Sequence, residues 1–202
     1  MKRALPVLLI FLSGCLVQSF YPFYTDKSKV ALPQLEGEWD TVIAFGEKQH
    51  TTNVPPWQIT ADQIVAYDPG MQPSRIHATF FKLGDQLFCD SIAADRTDPT
   101  PWYWAWHTRG VHTVTKVETN RDLLTFKPLD IDWLTDRVAS GKVSLAHLAR
   151  GEDDNWLLFT AKPVEWERFL AVYASDTNAF PTNRFYILKR HVSALNKEPT
   201  TH

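Results

Sequence analysis

The chain has 202 residues, of which 44% are apolar, 22% charged and 13% aromatic, with eight Trp. This is a globular composition and excludes disordered, collagenous and coiled-coil classes. With 21 basic and 23 acidic residues the formal charge is -2, so the basic footprint of a nucleic-acid binder is absent.

Met1 to Cys15 reads as an address. Lys2 and Arg3 form a positive start, and Ala4 to Leu12 is an apolar stretch broken only by Pro6. That stretch is shorter than the roughly 20 residues needed to span a bilayer, and it fits the apolar segment of a secretory signal. The order Leu12-Ser13-Gly14-Cys15 resembles the bacterial lipobox. The resemblance implies a signal peptide over 1–14, cleavage before Cys15, and palmitate-like chains on its sulfur and new amino group. The alternative is an ordinary signal peptide with an incidental Cys. Each buried methylene contributes about 0.8 kcal/mol, so two or three chains anchor the protein to the membrane. Leu16 after the Cys implies sorting to the periplasmic face of the outer membrane in a cell with two membranes.

Residues 15–36 read as an acylated tether leading to one domain over 37–192, followed by a flexible tail over 193–202. The cluster Phe20-Tyr21-Pro22-Phe23-Tyr24 either packs on the domain or lies in the lipid headgroup layer. From Glu38 onward strands dominate. They are expected over Trp39 to Phe45, Trp57 to Thr60 and Gln63 to Tyr67, with Asp68-Pro69-Gly70 as a turn. Arg75 to Lys82 and Gln86 to Ile92 make a hairpin through Leu83-Gly84-Asp85. Trp102 to Trp106, Gly110 to Glu118 and Leu123 to Lys127 continue the pattern. Asp130 caps a helix over Ile131 to Ser140 that Gly141 ends, with Ile131, Leu134 and Val138 on one face. A second helix runs from about Val164 to Ala174 behind Pro163, with Trp166, Phe169, Leu170 and Tyr173 as its buried stripe. Leu157 to Thr160 and Arg184 to Lys189 are the last strands. The pattern gives an α+β domain, mainly antiparallel, built as a strongly curved sheet or partly closed β-barrel with two short helices in its C-terminal half.

Gly37-Glu38-Trp39 at the opening of the first strand resembles the Gly-x-Trp of lipocalins and related calycin barrels. In those barrels the Trp closes the floor against a basic residue of the last strand, a part the resemblance assigns to Arg190. The helix over Ile131 to Ser140 departs from the lipocalin order. Cys15-Leu16-Val17-Gln18-Ser19, Pro22-Phe23-Tyr24-Thr25, the Gly-x-Trp, Phe81 to Phe88 and Pro128 to Leu134 together resemble a set of uncharacterised bacterial lipoproteins. That likeness implies an envelope location and carries no activity.

The standard catalytic strings are missing: no Gly-x-Ser-x-Gly, no His-Glu-x-x-His, no phosphate loop and no dinucleotide glycine pattern. No cofactor and no metal site is expected. His107 and His112 are the best metal candidates, but their spacing puts them on opposite sides of a continuous strand unless Gly110 bulges. Asp130, Asp132 and Asp136 lack the turn glycine of a calcium loop. If Cys15 is acylated, Cys89 has no intramolecular partner and reads as a small buried hydrophobe rather than a catalytic thiol. Trp102, Trp104 and Trp106 alternate, so a strand places three indoles on one face. They either fill the core or, with His107 and His112, line a ligand site.

The leading functional expectation is a non-enzymatic, membrane-anchored envelope lipoprotein that binds a small hydrophobic ligand or a partner protein. The alternatives are a structural subunit or assembly factor of an envelope complex, and a hydrolase using His and acidic side chains. A large apolar patch marks the former, and a cleft joining a His to a carboxylate marks the latter.

Overall fold

The structure, a computed structural model, describes residues 16–44, 47–48, 54–67, 73–94, 110–149, 157–183 and 185–192. The expected signal peptide over 1–14, Cys15, the Trp102–Trp106 segment, His107 and the expected tail over 193–202 lie outside these residues.

In chain order the strands are Gln18–Ser19 (β1), Gly37–Ala44 (β2), Glu47–Lys48 (β3), Trp57–Ile59 (β4), Gln63–Tyr67 (β5), Pro73–Leu83 (β6), Gln86–Ala93 (β7), His112–Asn120 (β8), Leu123–Pro128 (β9), His147–Ala149 (β10), Leu157–Phe159 (β11) and Tyr186–Arg190 (β12). The helices are Ile131–Ala139 (α1) and Pro163–Tyr173 (α2), and a short 3-10 turn covers Pro33–Leu35. Eight of the strands close into an antiparallel barrel in the order β2-β4-β5-β6-β7-β8-β9-β12. Closure comes from β12, which pairs with both β9 and β2. The chain therefore meanders up and down, and 129–185 is an insertion between the last two barrel strands. Among the described residues no helix is long and apolar enough to cross a membrane.

Period-two alternation sorts each strand into an inner and an outer face. Trp39, Ile59, Ile64, Ala78, Phe80, Cys89, Val117, Leu124, Phe126 and Leu188 point inward and form one core. Phe81, Phe88 and Val114 point outward and form a second core beneath the insertion and the N-terminal segment. Both faces are thus buried where Phe80 and Phe81 of β6 meet Phe88 and Cys89 of β7, which explains the adjacent apolar residues there.

The insertion follows its local signals. Asp130 Oδ1 accepts from Trp133 N at 2.8 Å, the expected N-cap, and Gly141 adopts φ 70° just past the helix end. At α2, Pro163 occupies the first turn and Glu165 reaches back to the Lys162 amide at 2.7 Å. Trp166 and Leu170 of its stripe are fully buried. Lys116 Nζ donates to Ala174 O at 2.9 Å, so a cation of β8 meets the C-terminal carbonyls of α2.

The expected tether over 15–36 is corrected for its described part. Residues 16–36 belong to the domain: β1 pairs with β11 and β8, and Val17, Ser19, Phe23 and Leu35 are buried. The reason is apolar content. Phe23 packs against Trp166 at 4.4 Å between ring centres, and burying a Phe outweighs the freedom of a loose chain. Of the aromatic cluster, Phe23 is buried, whereas Phe20 and Tyr21 stay exposed.

Candidate functional site

The barrel end at which β2 begins and β12 ends is built around Gly37, Trp39 and Arg190. Trp39 is buried, and its indole donates to Leu35 O at 2.9 Å, fixing the 3-10 turn across the barrel end. Arg190 lies over the indole with its guanidinium carbon 4.1 Å from the ring centre. It donates to Glu36 O at 2.9 Å and also to Gln34 O. Gly37 is required twice over: its φ is 122°, and an added Cβ would stand 3.2 Å from Arg190 Nη1. The floor arrangement that the Gly-x-Trp resemblance implies is therefore present in the geometry.

Beside this plug a cleft of about 660 Å3 opens between the 3-10 turn and the tips of the β6–β7 and β8–β9 hairpins. Leu35, Trp39, Leu87, Val117 and Leu123 stand at its base, of which Leu35, Trp39 and Val117 are themselves buried, and more of the exposed lining is polar than apolar. Lys82, Asp85, Lys116, Glu118, Arg121 and Arg190 give it a charged rim. Glu118 is engaged, accepting from Lys127 Nζ at 2.7 Å with Lys116 Nζ at 3.5 Å. Burial pushes its carboxyl up, but the two lysines outweigh that and hold it below the ordinary glutamate range. Among the described residues the side chains of Lys82 and Arg121 make no hydrogen bond or ion pair and remain available to an anion. The volume falls within the range of small-molecule sites. Sequence reading missed this cleft because its residues come from four separate turns and strands. The Gly-x-Trp signal marked only its wall.

His112 sits elsewhere, on the outer face of β8. Its Nδ1 is 2.7 Å from Asp90 Oδ1 on the neighbouring strand β7. Asp90 is 2% exposed and its Oδ2 accepts from Phe23 N at 2.9 Å. Both carboxylate oxygens are thus occupied, one by the histidine and one by the N-terminal segment. Neither residue lines the cleft. The arrangement is a clamp that ties the strap 16–36 to the barrel through Phe23. Among the described residues no group of three or more His, Cys, Asp or Glu side chains could hold a metal ion.

Cys89 lies inside the barrel, fully buried, with its thiol pushed up to about 12 chiefly by that burial. A thiol so rarely ionised is no nucleophile. Higher in the interior, Trp57 stacks near Tyr186 and Phe126, at 5.3 and 6.3 Å between ring centres. Trp57 Nε1 and Thr115 Oγ1 are buried without a hydrogen-bond partner among the described residues. Trp102, Trp104, Trp106 and His107 lie outside the described residues, so the aromatic platform they were expected to form has no described geometry.

Fold and site together define a class: a closed, eight-stranded, up-and-down antiparallel barrel wrapped on one flank by its own N-terminal strap and a helical insertion. No protein family, curated protein or solved structure matches the chain.

Proposed function

We propose that this chain is a lipid-anchored bacterial envelope protein, non-enzymatic, whose barrel holds a small apolar ligand bearing an anionic group. The lipobox order ending at Cys15 supports the anchor. The observation that carries the ligand reading is the cleft of about 660 Å3 with apolar side chains at its base and the uncommitted cations Lys82 and Arg121 on its rim. The base rewards burial of apolar surface, and the cations select a carboxylate, sulfonate or phosphate end.

The anchor is tested by metabolic labelling with a clickable fatty acid. The wild-type chain takes the label and Cys15→Ser does not; label persisting in Cys15→Ser overturns the assignment. The ligand site is tested with naphthalene-2-sulfonate, a small apolar anion, titrated onto the vesicle-bound chain and followed by Trp emission. Saturable binding is expected, weakened at least ten-fold in the double variant Lys82→Glu, Arg121→Glu. Absent binding, or equal binding in both, removes the cleft as the site.

A further inference from the structure

A second surface stands apart from the cleft. Strands β10, β11 and β1 form a ribbon on the outside of the barrel, with Leu148 opposite Leu158 and Leu158 opposite Gln18. Val17, Ser19, Leu157 and Phe159 turn to the core, so the alternate positions face out. Most of those outward positions are apolar, with Gln18 between them: Leu148 is 59% exposed, Leu16 42% and Phe20 39%. Tyr21 and Val164 extend the strip at 41% and 47%, and both line a groove of about 780 Å3 between the strap and the start of α2. Tyr24, Lys29 and Lys162 also line the groove, together with Asp26 and Glu165; Lys29 Nζ is 2.8 Å from Asp26 Oδ1 and 5.1 Å from the Tyr24 ring centre.

We infer that this ribbon face, from Leu148 to Val164, rests on the surface of the bilayer in which Cys15 is anchored. The inference rests on the anchor proposed above and adds an orientation to it. Its physical basis is the absence of a spacer. Phe20 N donates to Phe159 O at 2.8 Å and Ser19 pairs with His112, so the strap is fixed to the barrel up to its first described residues. Cys15 is one residue from Leu16, about 3.8 Å of chain. Acyl chains on Cys15 therefore bring lipid headgroups to this face and to no other. Its chemistry suits that layer: tyrosines and lysines around an apolar strip are the residues that sit at the water–hydrocarbon boundary. Leu148, Leu16 and Phe20 on the ribbon, with Tyr21 and Val164 on the adjoining groove, are the exposed apolar side chains that a bilayer would cover.

The test uses the full acylated chain in vesicles of phosphatidylethanolamine and phosphatidylglycerol. Cys89 is buried and Cys15 is blocked, so a nitroxide reacts selectively at a new thiol. Three variants are labelled: Leu148→Cys and Val164→Cys on the strip, and Gln58→Cys on β4, half-way round the barrel from β8. At the first two positions, collisions with oxygen should exceed those with an aqueous nickel chelate several-fold, and the order should reverse at Gln58→Cys. A chelate that reaches all three equally, while the chain still floats with the vesicles, overturns the orientation alone. A wild-type chain that fails to float with the vesicles overturns the anchor and this inference with it. Dipolar broadening between labels at Leu148→Cys would assign the strip to a second copy of the chain, and overturns it too.

Discussion

The guanidinium of Arg190 covers the indole of Trp39 at 4.1 Å while donating to the carbonyl of Glu36 and to that of Gln34. One side chain near the end of the described chain thus joins the last barrel strand to the first and holds the 3-10 turn that seals the barrel end. Its planar fork serves two carbonyls and an aromatic face together, which an ammonium does not match.

Arg190→Ala should cost about 2 kcal/mol, from lost charged hydrogen bonds and the cation–aromatic contact. Arg190→Lys should recover less than half. Urea unfolding midpoints check this, and a midpoint unchanged in Arg190→Ala would show that the 3-10 turn holds without it.

Asp90 is the hinge-pin of the strap, because its two oxygens serve His112 and the Phe23 amide. Asp90→Ala leaves both groups unpaired in a buried setting and should cost about 2–4 kcal/mol. Limited proteolysis should then cut within residues 16–28 sooner than elsewhere. Asp90→Asn, which keeps an acceptor for only one of them, should fall between.

The strap has a second fastening with a pH signature. Glu167 Oε1 accepts from Thr25 N at 2.7 Å and Ser28 Oγ at 2.6 Å. Burial raises its carboxyl, but the hydrogen bonds from Ser28 and Thr25 outweigh burial and leave it lowered. A carboxyl lowered by folding stabilises the protein above its unfolded value, and that stabilisation is lost as the pH falls through the folded one. Thermal stability should therefore decline on acidification through and below the ordinary glutamate range. In Glu167→Gln that decline should be shallower, as measured by melts across a pH series.

Thr115 Oγ1 is buried in the barrel without a partner among the described residues. A hydroxyl left in that state costs about 1–3 kcal/mol. Thr115→Val keeps the shape and removes the polar atom, so it should raise stability by about 1 kcal/mol. A melt lower than wild type would reveal a partner for the hydroxyl inside the barrel.

Much of the secondary structure was legible from local chemistry. The Leu83-Gly84-Asp85 turn forms, with Gly84 at φ 59°, and Asp130 caps α1 as its position before Ile131 suggested. These signals act over a few residues, so the local sequence contains both the cause and its partner. The stripe on α2 likewise reported an apolar face correctly. It did not report what covers that face, because periodicity names the side to be buried and not its neighbour.

The sequence by itself determined an α+β chain of antiparallel strands with two late helices, a short apolar stretch before Cys15, and a Gly-x-Trp at the first long strand. Only the tertiary structure decided that the sheet closes, since closure depends on β12 pairing with β2 across most of the chain. It also decided that the presumed tether is a strap, because the amide that Asp90 receives from Phe23 lies 67 residues away in sequence. It paired His112 with a carboxylate 22 residues upstream on the next strand, a contact no local pattern announces. The cleft and the apolar ribbon have the same origin. Both are assembled from side chains that share a face only after strand register is set, and register is a property of pairing between distant segments rather than of any one of them.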